Sequence, residues 1–567
     1  MVSSLLQMSS IAPSVFDQVG GGPPLQKARW GLLSTARVNR HMVASALGSL
    51  VGGIAAVASR SLDKAQAYID AEPSFSPVTA SSAISGEEVK GKNSSAAPDD
   101  LRQARPIALG SYEELNRRND IDIVYISLPN GQHKDAVLAS LRSGKHVLCE
   151  KPMAMRERDV AELFAAAKAN NCLLMEGLMC LHSASLDYVR DALRVVPPPP
   201  SESPDRLRTD RPAAEEQRLP NPRKWRGLGR IVSVQANFTF TFNRGGHRLS
   251  EFRDGGGSLW DVGVYPISVA RWVLSCAEGP THSPVGGEPC WVSGHFLGPS
   301  DSRRGVSDED VEKAAHPLAA VDECFSGSLG FPNGCVMQFH VGFVGPYAMS
   351  MTITGTEGSI TLRNPYKPDP VKGDVIDLVV NTTEGTIAQR ASNPSWASVS
   401  IGPITETSTW EGRCTELPPH RQRLFRAARE VLQCSGKDGS RDDDATTNGD
   451  KASNEGRGED VAFLADLAAA ADPARHATYL YQLEFDELSA AALVLKRLQP
   501  QQQNPRALSL SASDDFRSVR RPLNLAVQQL QAALTVSENF SSGSAKLVEA
   551  LWESATVKLG APVRLEW

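Results

Sequence analysis

The sequence predicts an α/β protein: an N-terminal Rossmann-type, doubly wound parallel sheet, then a C-terminal α+β domain built on a mostly antiparallel open sheet. Three observations carry this. Up to residue 179, fully apolar runs of strand length alternate with amphipathic runs of helix length, the rhythm of βαβ units. From Arg230 onward, strand-like runs follow one another with turn signals between them, a pattern that suits antiparallel pairing. At 567 residues the chain is too long for one core, so two domains and added segments are expected.

In chain order, RWGLL (29–33) reads as a buried first strand leading through Ser34-Thr35-Ala36 into a helix over about Val38–Leu47. Gly52 and Gly53 are expected to break the chain before IAAVASR (54–60), a strand apolar on both faces. SYEELNRR fits a short helix with Ser111 as N-cap and Glu114 three residues on, the capping-box spacing. IDIVYISLP (121–129) is a strand, KDAVLASLRSG a helix ended by Gly144, and KHVLCEKP the next strand. DVAELFAAAKANN follows as helix and CLLMEGLM as strand. In the second half RIVSVQANFTFTF alternates as a half-buried strand, with further strands at PCWVSGHFL, CFSGSLGF, CVMQFHVGF, MSMTITG and GSITLRN. Two late helices are expected around 478–498 and 543–558.

Three stretches lack either periodicity. Residues of about 72–104 are rich in Ser, Ala and charge, 196–222 in Pro and charge, and 436–461 in Asp, Gly, Asn and Ser; all three read as insertions. Residues 1–27 read as a flexible N-terminal segment.

The net charge of −6 gives no basic field, so neither nucleic acid nor an anionic membrane is an expected partner, and a small molecule fits better. Nine cysteines without a CxxC pair argue for free thiols in a reducing compartment, with no disulfide frame and no metal cage. No apolar run reaches about 18 residues, and the first residues lack the pattern of a secretory signal, so a cytoplasmic location is the expectation.

The first strand-to-helix turn reads Gly31-Leu32-Leu33-Ser34-Thr35-Ala36. Such a turn needs small residues where a backbone approaches a pyrophosphate, and here one glycine is kept with serine and alanine as substitutes. An ordinary strand-to-helix turn is the alternative. After the second strand stand Ser59-Arg60-Ser61, where an NAD site carries an acid for the ribose; an arginine and hydroxyls suit a 2′-phosphate, which favours NADP. Arg37 could add a second cation.

Two further motifs carry chemistry. Cys149-Glu150-Lys151-Pro152 places a carboxylate and a lysine at the mouth of the parallel sheet, and GGGSLWDVGVY (255–265) supplies Asp261 and Tyr265 four residues apart, on one face if helical. Pro266 is expected to kink or restart that helix. Cys149 reads as a small core residue.

RWGLLSTARVNR, SLPNGQH, SGKHVLCEKP, MEGLM and GGGSLWDVGVYP together resemble the Gfo/Idh/MocA oxidoreductases, and within them the branch of NADP-dependent D-xylose 1-dehydrogenases and dimeric trans-dihydrobenzenediol dehydrogenases. The resemblance implies an NADP-binding Rossmann domain over 28–179 and a substrate and oligomerisation domain over 180–567, with a homodimer through the C-terminal sheet. It implies Tyr265 as general base, Lys151 as the charge that assists it and orients its hydroxyl, and Asp261 as a ligand of the lysine or of a substrate hydroxyl. Cofactor contacts are implied at Gly31, Ser34, Thr35, Ala36, Arg37, Ser59, Arg60, Ser127, Leu128, Pro129, Asn130, His133, Glu150 and Lys151. His133 has a second reading as a solvent-facing histidine at a helix start, and Glu150 as a strand-end carboxylate in solvent. After MEG the family's aromatic, arginine and histidine-proline pair are replaced by Leu178 to Ala184; His182 reads equally as a substrate contact and as a structural histidine. The implied substrate is a sugar or diol. A non-catalytic NADP-binding regulator of the same fold is the alternative of a different class.

Overall fold

The structure, a computed structural model, describes residues 26–75, 105–183, 228–242, 254–277, 288–297, 321–367, 374–382, 385–395, 398–403, 480–498, 516–534, 536–558 and 560–566, with isolated positions between them. The expected insertions at 196–222 and 436–461, most of that at 72–104, and residues 1–25 lie outside the described residues.

Six strands form a parallel sheet in the order β3-β2-β1-β4-β5-β6: β1 Ala28–Leu33, β2 Gly52–Ala58, β3 Ile107–Leu109, β4 Ile123–Ile126, β5 His146–Glu150 and β6 Leu174–Gly177. Their side chains are almost all buried because helices cover both faces: α1 Asn39–Gly48, α2 Leu62–Ala71, α3 Tyr112–Arg117, α4 His133–Arg142 and α5 Glu157–Ala169. The order reverses between β1 and β4, so the crevice beyond those two strand ends is where such a sheet takes a ligand.

Two local expectations change. Gly52 and Gly53 do not break the chain but begin β2, and a Cβ on Gly52 would stand 2.5 Å from the Phe485 ring, so the glycine admits a helix from the far end of the chain. Helix α2 was not anticipated. Ser61 caps it by accepting from Lys64 N at 3.4 Å, and only Ala65 and Ile69 of its residues are buried, too few apolar positions to mark a period. The capping of α3 is as expected: Ser111 Oγ accepts from Glu114 N at 3.0 Å, while Glu114 reaches back to Gly110 N, also at 3.0 Å.

The second sheet has ten strands in the order β15-β14-β13-β12-β11-β7-β10-β9-β8-β16. Its members are β7 Ile231–Thr239, β8 Trp291–Leu297, β9 Cys324–Gly330, β10 Val336–Gly342, β11 Ala348–Gly355, β12 Gly358–Leu362, β13 Asp374–Thr382, β14 Gly385–Ser395, β15 Ser398–Pro403 and β16 Val563–Arg564. All pairs are antiparallel except β7 with β10. Strands β13 to β15 extend the sheet beyond the anticipated set.

Helices α6 Val264–Ala277, α7 Leu480–Leu498, α8 Phe516–Ala533 and α9 Glu538–Thr556 complete the described elements. Of these, α9 joins the two halves, lying on β8 and against α5, while α8 packs on α5 and α7, and α7 on α1 and β1 of the parallel sheet. There Trp30 stacks on Phe485 at 4.3 Å and donates to Ser489 Oγ at 2.9 Å, and Ser49 donates to Asp486 at 2.6 Å. No helix among the described residues is long and apolar enough to cross a membrane.

His146 gives the fold a pH dependence. Its Nδ1 accepts from Leu173 N at 3.0 Å, and burial lowers its pKa from 6.5 to about 4. A histidine held neutral in the folded state contributes stability that is complete above its unfolded pKa and is lost as pH falls through the folded value. The urea midpoint should therefore drop as pH falls from about 6.5 towards about 4, with His41, likewise lowered to about 4, adding to the slope. Buried Asp322, raised from 3.8 to about 6, acts in the opposite sense, its contribution being lost as pH rises, so a variant is needed to isolate the histidine. His146→Gln should flatten the slope; an unchanged slope would exclude His146 as its source.

Candidate active site

At the switch point of the parallel sheet, the ends of β1 and β4 are stitched by small polar side chains. Ser34 has φ 144°, a conformation that side chains rarely adopt, and lies where a dinucleotide loop calls for glycine. Its strain is offset by a hydrogen-bonded set: Ser127 Oγ donates to Asn39 Oδ1 at 2.5 Å, which leaves Ser34 Oγ to donate to Ser127 Oγ at 2.8 Å. Asn39 Nδ2 donates back to Ser34 O at 2.8 Å, and Ala36 N to Ser34 Oγ at 3.1 Å. Asn39 is fully buried, and sequence reasoning missed it because nothing in its local spacing marks it. Gly31 lies one step deeper, against Leu115.

The loop fits a phosphorylated dinucleotide. Thr35 and Ala36 are partly exposed at the loop surface, Ser59 closes β2, and Arg37 and Arg60 are exposed with no hydrogen bond or ion pair among the described residues. No acid stands at 59–61 to repel a 2′-phosphate.

Beyond β4, Leu128 and Pro129 are partly exposed in the loop, whereas Asn130 and His133 are turned inward. His133 is neither solvent-facing nor open to a ligand: it is buried, with Nε2 2.8 Å from Leu128 O and Nδ1 2.8 Å from Pro152 O. It thus ties the loop after β4 to the loop after β5. The amide of Asn130 is also engaged, donating at 2.9 Å to Gly255 O in the other half of the molecule. Gly255 has φ 71°, and a Cβ there would stand 2.7 Å from Asn130 Cβ, so this close approach needs a glycine.

That glycine opens the GGGSLW turn, which Asp322 holds from below through bonds from Ser258 Oγ and, at 2.9 Å, Leu259 N. A single π-helical turn, Leu259–Gly263, follows and passes into α6 at Val264. Pro266 falls in the first turn of α6, directly after the π-helical turn, where it removes one donor from the ladder. The expected restart is thus a change of helix type just before it.

The turn delivers Asp261 and Tyr265 to Lys151. Lys151 Nζ donates to Asp261 O at 2.5 Å and to Asp261 Oδ1 at 3.1 Å, with both side chains about one-tenth exposed. The same ammonium lies over the Tyr265 ring, 4.8 Å from its centroid, while the Tyr265 hydroxyl donates to Met179 Sδ at 3.8 Å. The lysine thus meets the tyrosine at its ring face. Glu150 is not a free strand-end carboxylate, because Tyr125 OH donates to its Oε1 at 2.6 Å. Cys149 is buried, and burial pushes its thiol well above the usual value, which suits a core residue.

Lys151, Asp261 and Tyr265 line a cavity of about 290 Å³ with Val262, Phe238, Phe240, Tyr347 and Lys367. This is near the small end of ligand pockets, roughly 300–1,000 Å³. The three aromatic neighbours and Lys367 were not singled out from sequence; the strand that carries Phe238 was, but not which of its faces meets the lysine, and Tyr347 and Lys367 lie outside the anticipated strands. His182 does not line this cavity. It is fully buried, with Nδ1 3.4 Å from Glu487 Oε2 of α7, which assigns it to the interior between domains.

Residues 53–178 match the model of the oxidoreductase family with an NAD-binding Rossmann fold, and residues 226–361 match the Gfo/Idh/MocA C-terminal domain. The chain belongs to the Gfo/Idh/MocA oxidoreductases. A 1,5-anhydro-D-fructose reductase of Ensifer adhaerens is 26% identical over 60% of this chain and 78% of its own length. A trans-1,2-dihydrobenzene-1,2-diol dehydrogenase of Xenopus laevis is 35% identical over 44% of this chain and 57% of its own. A D-xylose 1-dehydrogenase (NADP(+)) of Haloferax volcanii is 26% identical over 53% and 73%. In fold, the aldose-aldose oxidoreductase of Caulobacter crescentus, solved with glycerol, covers 95% of this chain and all of its own at TM-score 0.50 and 16% identity. For a Gfo/Idh/MocA member, the two matched segments place Lys151 in the Rossmann part and Asp261 with Tyr265 in the C-terminal part.

Proposed function

We propose that the protein oxidises an aldose at C1 with NADP as acceptor, first among candidates D-xylose to D-xylono-1,5-lactone, with Tyr265 as general base and Lys151 as the charge beside it. The observation that carries this reading is the contact of Lys151 with both Asp261 and Tyr265 on the wall of a monosaccharide-sized cavity. NADP, when bound, takes the hydride from the carbon being oxidised. The protein must then take the hydroxyl proton, and a phenol with an ordinary pKa near 10 is a weak base at neutral pH. An ammonium against the ring stabilises negative charge on the phenol. Asp261 fixes that ammonium with two acceptors, so the lysine meets the ring in one position.

Arg60, Arg37 and the Ser34 loop would hold the cofactor, with Arg60 on the 2′-phosphate. Arg60→Ala should weaken NADP binding by about tenfold or more, the loss of a charge-assisted bond, and leave NAD nearly unchanged. Equal losses for both would remove the phosphate assignment.

The aromatic walls favour one second reading. Phe238, Phe240 and Tyr347 offer apolar surface on which the ring of a dihydrodiol would pack, and the same base would serve its oxidation. A non-catalytic regulator would have no need of the lysine, acid and tyrosine set. The wider reading keeps 28–179 as cofactor domain and 180–567 as substrate domain, a homodimer through the open face of the ten-stranded sheet, and a cytoplasmic location in keeping with the free thiols of the described cysteines. The test is NADPH formation by the purified chain with D-xylose, other aldopentoses and benzene dihydrodiol. D-xylose turnover supports the first reading and dihydrodiol turnover the second. NADP binding without turnover of any of them would leave the regulator.

A further inference from the structure

We infer that Lys367 is an anion-binding residue shared by the two halves of the molecule, taking a phosphate or carboxylate oxygen in the seam between the substrate cavity and helix α1. Three observations converge on it. Its backbone is anchored by Tyr366, a fully buried residue whose ring stacks on Tyr265 at 6.0 Å and on Phe238 at 5.7 Å, so Lys367 leaves the chain beside the reacting tyrosine. Its side chain lines the same cavity as Lys151. Its charge also reaches the other half: with Arg37 it adds to burial in holding His41, on the first turn of α1, neutral with a pKa of about 4.

Lys367 is exposed and has no hydrogen bond or ion pair among the described residues. The acids of the site offer it none, because Asp261 is taken by Lys151 and Glu150 by Tyr125. Lys151, Lys367 and Arg37 thus bring like charge to one seam, a repulsion that a bound anion relieves. A lysine suits the task, being a point charge on a long stem that can follow an oxygen as two domains adjust. The anion has two sources: the pyrophosphate of a dinucleotide on the Ser34 loop, or an acidic substituent of the substrate. The first rests on the dinucleotide reading above.

The experiment is calorimetric titration of the full chain and of Lys367→Gln and Lys367→Arg with inorganic pyrophosphate and NADPH, with D-glucuronate tested as a competitive inhibitor of any turnover and as a titrant. An exposed side chain should be replaceable without loss of fold, checked by the melting curve. Weaker pyrophosphate and NADPH binding in Lys367→Gln, by about five- to twentyfold, with recovery in Lys367→Arg, assigns the cofactor source. Unchanged NADPH binding with a comparable loss for D-glucuronate assigns the substrate source. If all three ligands bind the parent and Lys367→Gln within about twofold, or none binds the parent, the inference is overturned. Because binding is read directly, absence of D-xylose turnover would defeat the catalytic proposal and leave this one standing.

Discussion

Tyr265→Phe should lower kcat by about 10²–10⁴-fold, the range for loss of a positioned general base, with NADPH binding unchanged. The ring keeps its place because its stacking on Tyr366 and its tilted contact with Phe238 do not involve the hydroxyl, and the bond to Met179 Sδ that is given up is a weak one. Fold and cofactor affinity therefore serve as internal controls. Turnover within a few-fold of the parent would show that the proton leaves by another group.

Lys151→Met is expected to have a comparable effect on kcat and a second effect on stability. The substitution nearly conserves length but removes the cation, leaving the Asp261 carboxylate without its partner at a site about one-tenth exposed. Breaking a buried pair by removing one member costs roughly 3–5 kcal/mol, because an uncompensated charge remains. The double variant Lys151→Met with Asp261→Asn should recover much of that stability and none of the turnover. This separates the structural part of the lysine from its chemical part. Arginine should not substitute, since its planar fork cannot meet the carbonyl, the carboxylate and the ring face as one ammonium does. A Lys151→Met variant with kcat within tenfold of the parent would remove the lysine from the mechanism.

What could be read from the sequence divides along physical lines. The strands of the parallel sheet were legible because burial on both faces makes them short unbroken apolar runs, as in IDIVYI and KHVLC. The pairing of Lys151 with Asp261 and Tyr265 was legible because each motif is compact, even though the residues are about 110 positions apart. Helix α8 was not, since Pro522 interrupts FRSVRRPLNLAVQQLQAA and reads as a helix boundary, although the alanine, leucine, glutamine and arginine around it favour helix. The two readings of His182 stayed level in the sequence because its partner, Glu487, sits on a helix far along the chain. The same holds for Asn130, whose amide meets a backbone carbonyl that no local pattern announces. Lys367 lacked a motif altogether; what singles it out is the aromatic pile of Tyr366, Phe238 and Tyr265, brought together from a loop, a strand and a helix.

The clasp of α7 on β1 has a consequence for synthesis. Trp30 is covered by Phe485 and bonded to Ser489, 459 residues later in the chain. At about 5–20 residues per second, the ribosome needs roughly half a minute to a minute and a half to supply that cover. Throughout that interval the emerging nucleotide-binding half carries a bare indole and an apolar strand face. The first strand to be made is among the last to be sealed, so vectorial folding leaves this half waiting for its lid, and during that wait it is a client for whatever holds nascent chains apart.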